Sequence, residues 1–451
     1  MQLSRSGLAA TGLTAAFAIL LLLGFATPAY AFGLAAMLFV VFGTTLSANI
    51  QIAGASVIGI ALGAWPGSGI EQIQALGQLF IALLKMLIAP MILLSIVHGI
   101  AGMSRARDFG RIGTRTLALY LGTMALAVAT GLLFVNIFEP GVGSNLRETA
   151  YFQTAIANAP VAATATAADL SLSGSLARIL SSAIANPFQA LAEARILPIV
   201  VFAVMLGLAL LQLGERARPL VDILGSANAA VMQMIGWFVR LAPIGILALL
   251  GNLVAASSFA ELARHLGTFS AVVFAATFCH AVITLPLVVR FLGGMSPLAF
   301  LRGIQPALVV AFSTSSSAAT LPVTTHCVEE ELDVPPEIAS FVLPLGATVN
   351  MDGTALYEAI AALFVANVYG IELGLAGQLV VFAISMLSAI GAPGIPSAGM
   401  VTMVVVLEAV GLPVEAVAML LAIDRILDTV RTLANVEGDA AVALCVARMT
   451  R

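Results

Sequence analysis

The chain has 451 residues, 61% of them hydrophobic and only 9% charged, with a mean hydropathy of +1.08; a soluble domain of that make-up would leave apolar surface in water, so its solvent is lipid. At roughly 20 residues per crossing there is room for about eight to ten spans. A formal charge of -4 with a single lysine, Lys85, excludes a phosphate-neutralising patch and hence nucleic acid as a partner, and three scattered cysteines (Cys279, Cys327, Cys445) exclude a disulfide framework or a CxxC zinc site.

Residues 1–49 form an N-terminal apolar extension. Two readings fit it: a secretory signal ending in the A-x-A run Ala29, Tyr30, Ala31, or an uncleaved span from about Ala9 to Pro28, followed by Phe32 to Leu46, which is short for a crossing. Either leaves Phe32 to Leu46 running inward. Apolar windows then follow at about 50–65, 73–102, 114–138, 196–213, 226–256 and 268–293, each read as one crossing. Arginines set the orientation. Arg105, Arg107, Arg111 and Arg115, then Arg216 and Arg218, then Arg290 and Arg302, and finally Arg448 and Arg451 mark cytoplasmic connections. The long, Ala/Ser/Thr-rich segment from Glu139 to about Arg195 falls outside and is assigned no chemistry.

Beyond residue 298 the apolar runs are broken by Ser, Thr, Gly and Pro at 313–322, 346–354 and 388–399. An unpaired backbone group in hydrocarbon costs several kcal/mol, so such breaks belong where protein or a polar cavity covers them. Ala311 to Thr325 and Ala389 to Gly399 read as re-entrant hairpins, whose tips offer backbone N–H groups to a carboxylate. Ser315, Ser316 and Ser317 also raise a serine nucleophile, but no base is assignable, His326 falling at the far end of a hairpin arm. Between the hairpins, LGATVNMDGTALY (Leu345 to Tyr357) interrupts a helix with Asn350, Asp352 and Thr354, hard oxygens of the kind that hold coupling ions together with unwound carbonyls. Last comes IDRILDTVRTLANVEGD, in which Asp424, Asp428, Arg431, Asn435 and Asp439 share one helical stripe. Ionisable groups inside a span face a cavity and pair with one another or a ligand, and the acidic excess over Arg425 and Arg431 invites cations. The order hairpin, helix, hairpin, helix is that of a structural repeat with binding at its interface.

These strings, Ser313 to Pro322, Asn350 to Thr354 (NMDGT), Gly391 to Gly399 and the Asp424 to Asp439 stripe, with Asn186 to Leu211, Leu84 to Pro90 and Phe109 to Gly131 upstream, resemble the dicarboxylate/amino acid:cation symporter family of sodium:glutamate/aspartate symporters, the excitatory amino acid transporters among them. The likeness runs from roughly Gln51 onward. It implies an all-α polytopic membrane protein with about eight transmembrane helices, two re-entrant helical hairpins in inverted repeats, and an elevator-type glutamate transporter fold carrying an extra N-terminal apolar segment. It also implies a homotrimer in a bacterial-type inner membrane, with 50–297 mainly scaffold (the third and sixth spans joining the transport part) and 298–451 the core transport domain.

Residue by residue, the resemblance places the substrate side-chain carboxylate on Arg431 and the amino group on Asp428. Asn435, Thr354, Thr432, Ser316, Ser317 and the backbone at Gly399 would receive the remaining polar groups. One sodium would lie among Gly346, Asn350, Asn435 and Asp439, and a second would use backbone at Thr348, Ala389, Ile390 and Ala392 once the second hairpin closes; Met351 is a further candidate metal position. A third would use Tyr120, Thr123, Asn350 and Asp352. Here the chain departs from the family, because Met124 stands where a hydroxyl residue is usual, and a thioether is a poor ligand for a hard cation. A pocket arginine is expected at position 315 or 429; this chain has Ser315 and Thr429 there and Arg425 beside Asp424 instead, a substitute countercharge or a snorkelling residue at the lipid boundary. The function implied is symport of glutamate or aspartate with sodium, proton coupling remaining open. The alternative within the family is a C4-dicarboxylate symporter, against which Asp428 argues, since a second carboxylate there would meet a like charge. An anion channel would need a continuous polar lining that the sequence lacks.

Overall fold

The computed structural model describes residues 48–65, 68–102, 111–144, 146–148, 184–193, 195–256, 259–390, 392 and 398–450. The readings placed on residues 1–47, on Arg105, Arg107 and Arg451, on most of the Glu139 to Arg195 connection and on Gly391 and 393–397 lie outside them. Among the described residues the fold is helical throughout: α1 (Ala48–Ala64), α2 (Gln74–Gly102), α3 (Arg111–Phe138), α4 (Ile196–Leu213), α5 (Arg218–Val239), α6 (Ala242–Ala256), α7 (Phe259–Gly293), α8 (Pro297–Thr314), α9 (Ser317–His326), α10 (Pro336–Val349), α11 (Asp352–Tyr369), α12 (Leu375–Ala389), α13 (Ala398–Ala409) and α14 (Val417–Thr450). Five stretches are long and apolar enough to cross a bilayer, Ile70–Ala101, Ile112–Phe138, Pro198–Phe238, Phe259–Gly293 and Pro297–Thr314, and this is a multi-pass membrane protein.

One expected crossing is corrected. The apolar window 226–256 is two elements, because α5 stops at Val239, the chain turns through Arg240 and Leu241, and Pro243, which has no N–H to give, sits in the first turn of α6. The remaining windows coincide with α1, α2, α3, α4 and α7. Within α7 the helix widens into π turns at His280–Thr284 and Val289–Gly293, a local rewinding frequent at functional sites.

Two packing groups are visible. In one, α1 lies on α6, and α2 lies on α4, α5 and α6. In the other, α14 collects α3, α7, α8, α10 and α11, while α12 and α13 close over α11. Every residue of α11 but Asn367 is buried, which suits its apolar character on all sides. The groups meet where α6 packs on α14 and α2 touches α12 and α13, and Lys85 on α2 ion-pairs with Glu415, in the turn before α14, at 3.1 Å.

The breaks fall where the sequence puts them. α10 and α11 are parted by Asn350 (φ -101°, ψ 97°) and Met351 (φ -124°, ψ 62°), both out of helical geometry. Ser315, at φ 49°, turns α8 into α9 and Ser316 caps α9, its Oγ accepting from Ala319 N–H at 3.2 Å. At the end of α12, Ile390 is extended.

Candidate substrate and cation site

The polar stripe lies along one unbroken helix, since α14 runs from Val417 to Thr450 and Asp424, Asp428, Arg431, Asn435 and Asp439 are all buried in it. Removing charges from water is tolerable only with partners, and here they alternate. Arg425 Nη1 donates to Asp428 Oδ2 at 3.2 Å, and Arg431 Nη2 donates to Asp428 Oδ1 at 2.7 Å. The same Nη2 stands 2.9 Å from Asp424 Oδ1, two turns back, as an ion pair without hydrogen-bond alignment. Arg425 thus reaches Asp428 while 15% of its side chain stays exposed.

Arg431 is the largest fully buried side chain of the described residues, at 1% exposure. The Tyr357 ring lies beneath its guanidinium, 4.1 Å from centroid to Cζ, a cation–π contact that holds the plane in place. Its Nε and Nη1 have no hydrogen-bond partner among the described residues. Above Nη1 stands Gly399 of α13, where even a methyl group would come within 2.9 Å of that nitrogen. Gly353 also has no room for a side chain: a Cβ there would run into the Arg431 carbonyl, so its absence lets α11 and α14 touch backbone to backbone. Through that contact Asn435 Oδ1 accepts the Gly353 N–H at 2.8 Å, and Asn435 Nδ2 reaches Thr354 Oγ1 at 3.4 Å.

One and two turns further, oxygen replaces guanidinium. Asn350 Nδ2 donates to Asp439 Oδ1 at 3.1 Å, and Gly346 abuts both that carboxylate and the Tyr120 hydroxyl. Beside them Thr123 Oγ1 is 3.2 Å from Tyr120 O, 3.4 Å from Asn350 Oδ1 and 3.2 Å from Asp352 Oδ1. The four residues expected for the third cation therefore share one buried cluster, drawn from α3 and the α10–α11 break. Neither Asp352 nor Asp439 pairs with Arg or Lys among the described residues. Such an oxygen-rich, charge-deficient cluster suits a hard monovalent cation.

Other expected positions are more loosely placed. Thr348 is exposed, its hydroxyl returning to Leu345 O at 3.0 Å, while Ala389, Ile390 and Ala392 cluster at the end of α12. No hydrogen bond joins the two sets among the described residues. Ser316 and Ser317 are buried at the α8–α9 turn, Thr432 Oγ1 donates to Asp428 O at 2.8 Å, and Met351 Sδ lies 3.9 Å from Thr354 Oγ1. Met124 is fully buried on α3, one residue beyond Thr123.

Sequence reasoning missed four groups. His280, on the first π turn of α7, places Nε2 3.2 Å from Asp352 Oδ2 with both side chains wholly buried. Glu358 accepts from Ser388 Oγ at 2.5 Å under the second hairpin. Tyr357 lies below Arg431, and Glu437 is buried with one carboxylate oxygen unpartnered. Each left a trace, an ionisable or hydroxylated residue in an otherwise apolar run, but the partners of His280, Glu358 and Tyr357 lie on other helices.

With this geometry in place, comparison with known proteins is informative. The sodium:dicarboxylate symporter family model matches residues 48–449. The chain is 34% identical to an excitatory amino acid transporter of Caenorhabditis elegans over 399 residues, 81% of this chain and 78% of the relative. It is 35% identical to excitatory amino acid transporter 4 of Mus musculus, over 83% of this chain and 77% of the relative, and 34% identical to excitatory amino acid transporter 5 of Homo sapiens, over 85% and 77%.

Proposed function

The chain belongs to the sodium:dicarboxylate symporter family, and we propose that it is a sodium-coupled symporter of acidic amino acids, carrying L-glutamate or L-aspartate across the membrane together with sodium. It is a transporter, not an enzyme. The observation that carries the substrate class is Arg431, a guanidinium fixed by two aspartates and a tyrosine ring, buried, and left with Nε and Nη1 unpartnered next to Gly399. Buried N–H donors without acceptors cost free energy until a ligand supplies one, and a carboxylate is the acceptor that also matches the charge. Asp428, within the same chain of ion pairs, receives the ammonium. Asn435, Thr354, Thr432, Ser316, Ser317 and the Gly399 backbone complete the polar surroundings.

Sodium is cargo in this reading. The cluster of Tyr120, Thr123, Asn350 and Asp352 and the neighbouring set of Gly346, Asn350, Asn435 and Asp439 are its two most developed sites; the remaining one, from Thr348, Ala389, Ile390 and Ala392, forms as the second hairpin closes. Asn350 serves two of the sets, and the Asn435 that anchors one of them also abuts the Arg431 turn, so cation and substrate each raise the other's affinity. Proton coupling remains a further option. The two packing groups, joined across α2 and α6, suggest a scaffold and a mobile transport body moving as an elevator, in a homotrimer, and the helical build suits a bacterial-type inner membrane.

The test is calorimetric titration of the purified protein with L-aspartate, L-glutamate and succinate, with sodium present and with sodium replaced by choline. Saturable, sodium-dependent binding of at least one amino acid is expected; binding that ignores sodium, or none of either amino acid, would refute the reading.

A further inference from the structure

Both carboxylate oxygens of Asp428 are already taken. Oδ1 accepts from Arg431 at 2.7 Å and Oδ2 from Arg425 at 3.2 Å. The two arginines are not held alike. Arg431 is gripped by Asp424 and Asp428 and lies on the Tyr357 ring, whereas Arg425 has Asp428 as its one ion-pair partner among the described residues and keeps 15% of its side chain exposed. An ammonium arriving at Asp428 meets a site filled by a guanidinium, and of the two, Arg425 is the one free to leave.

We propose that Arg425 is a specificity-determining residue: it competes with the substrate amine for Asp428 and, when no amine is present, neutralises Asp428 so that a plain dicarboxylate can occupy the same pocket. This rests on the acidic amino acid reading and deepens it. The charges make the case. Asp424, Arg425, Asp428 and Arg431 alternate in sign and sum to zero, so these four groups balance one another without a ligand. An amino dicarboxylate brings its own cation for Asp428 and sends Arg425 toward its exposed side. Succinate brings none, and its second carboxylate would face Asp428 directly were Arg425 not there, a like-charge contact that a low-dielectric pocket magnifies.

The consequence is a change of opposite sign for the two ligands. In Arg425→Gln the amine has no competitor, so L-aspartate binds more tightly; Asp428 is left bare toward succinate, which binds more weakly. For a partly exposed pair each change is about fivefold, so the ratio of succinate to aspartate dissociation constants rises about 25-fold. Arg425→Lys keeps the charge and holds the ratio near the wild-type value. A residue that merely supports the fold would weaken both ligands together, which is what makes the sign diagnostic.

The experiment is displacement of radiolabelled L-aspartate by unlabelled L-aspartate and by succinate, on the full-length wild type, Arg425→Gln and Arg425→Lys in saturating sodium. Tighter aspartate with weaker succinate in Arg425→Gln, and a preserved ratio in Arg425→Lys, supports the assignment. Parallel changes, an unmoved ratio, or a wild type against which succinate never competes overturns it while leaving amino acid transport intact. A wild type that fails to bind the label sinks the acidic amino acid reading, and this assignment with it.

Discussion

Replacing Arg431 by alanine should separate what this residue does for the fold from what it does for the ligand. Its guanidinium is 2.7 Å from Asp428 and 2.9 Å from Asp424, with the two carboxylate side chains 9% and 3% exposed. Removing one member of a buried pair costs about 3–5 kcal/mol, because the remaining charge has neither water nor partner. The loss does not fall equally on the two aspartates. Asp428 keeps Arg425 at 3.2 Å, whereas Asp424 has no other ion-pair partner among the described residues. Asp424→Asn added to Arg431→Ala removes the orphaned charge and should restore about 1–3 kcal/mol of the loss. The assay is the apparent unfolding midpoint of the detergent-solubilised, substrate-free protein for wild type, both single variants and the double variant, with aspartate binding measured on the same samples. Binding should vanish in both proteins lacking Arg431, and stability should recover in the double variant alone. Additive losses would mean that Asp424 does not need Arg431, and the ion-pair chain would be wrong.

Two more outcomes follow from the site. Asp352→Asn and Thr123→Val should each raise the sodium concentration for half-maximal aspartate binding by about tenfold, while Met124→Ser, which adds an oxygen beside Thr123, lowers it about threefold; a sodium titration in which none of the three shifts removes the cation assignment from this cluster. Gly399→Ala sets a methyl group 2.9 Å from Arg431 Nη1 and 3.2 Å from its Cζ, against a guanidinium held by Asp424, Asp428 and the Tyr357 ring. Aspartate affinity should fall at least tenfold with the unfolding midpoint unchanged, and an unaltered dissociation constant would show that the carboxylate binds elsewhere.

What the sequence discloses here depends on the reach of each contact along the chain. The stripe from Asp424 to Asp439 was legible because helical spacing of three and four residues guarantees neighbours, and both hydrogen bonds to Asp428 from Arg425 and Arg431 are of that kind. The breaks at Ser315 and at Asn350 and Met351 were legible too, from Ser, Asn and Gly interrupting apolar runs. The single crossing assigned to 226–256 failed for a related reason: hydropathy is blind to a turn made by apolar residues, and the lone Arg240 beside Pro243 was the only mark of one. Tyr357 under Arg431, Glu358 on Ser388 and His280 against Asp352 are partners across separate helices, 72 residues apart in the last case. No periodicity encodes such a pairing.

His280 shows how the long-range contacts complete the local ones. Asp352 sits at the first position of α11, where the freed N–H groups of a helix start favour a negative charge. Thr123 from α3 and His280 from α7 then close on its two oxygens, so three segments far apart in sequence converge on one carboxylate. A cation at the Thr123 side adds a further partner to the same group, and α3, α7 and α11 are drawn together as it binds. The break between α10 and α11 frees the oxygens, but it is the packing of α3 and α7 that gives them a fixed geometry. Ion affinity in this chain is therefore a property of the helix assembly around Asp352 and not of the NMDGT string alone, and substitutions on α3 or α7 that leave every oxygen ligand in place should still change the response to sodium.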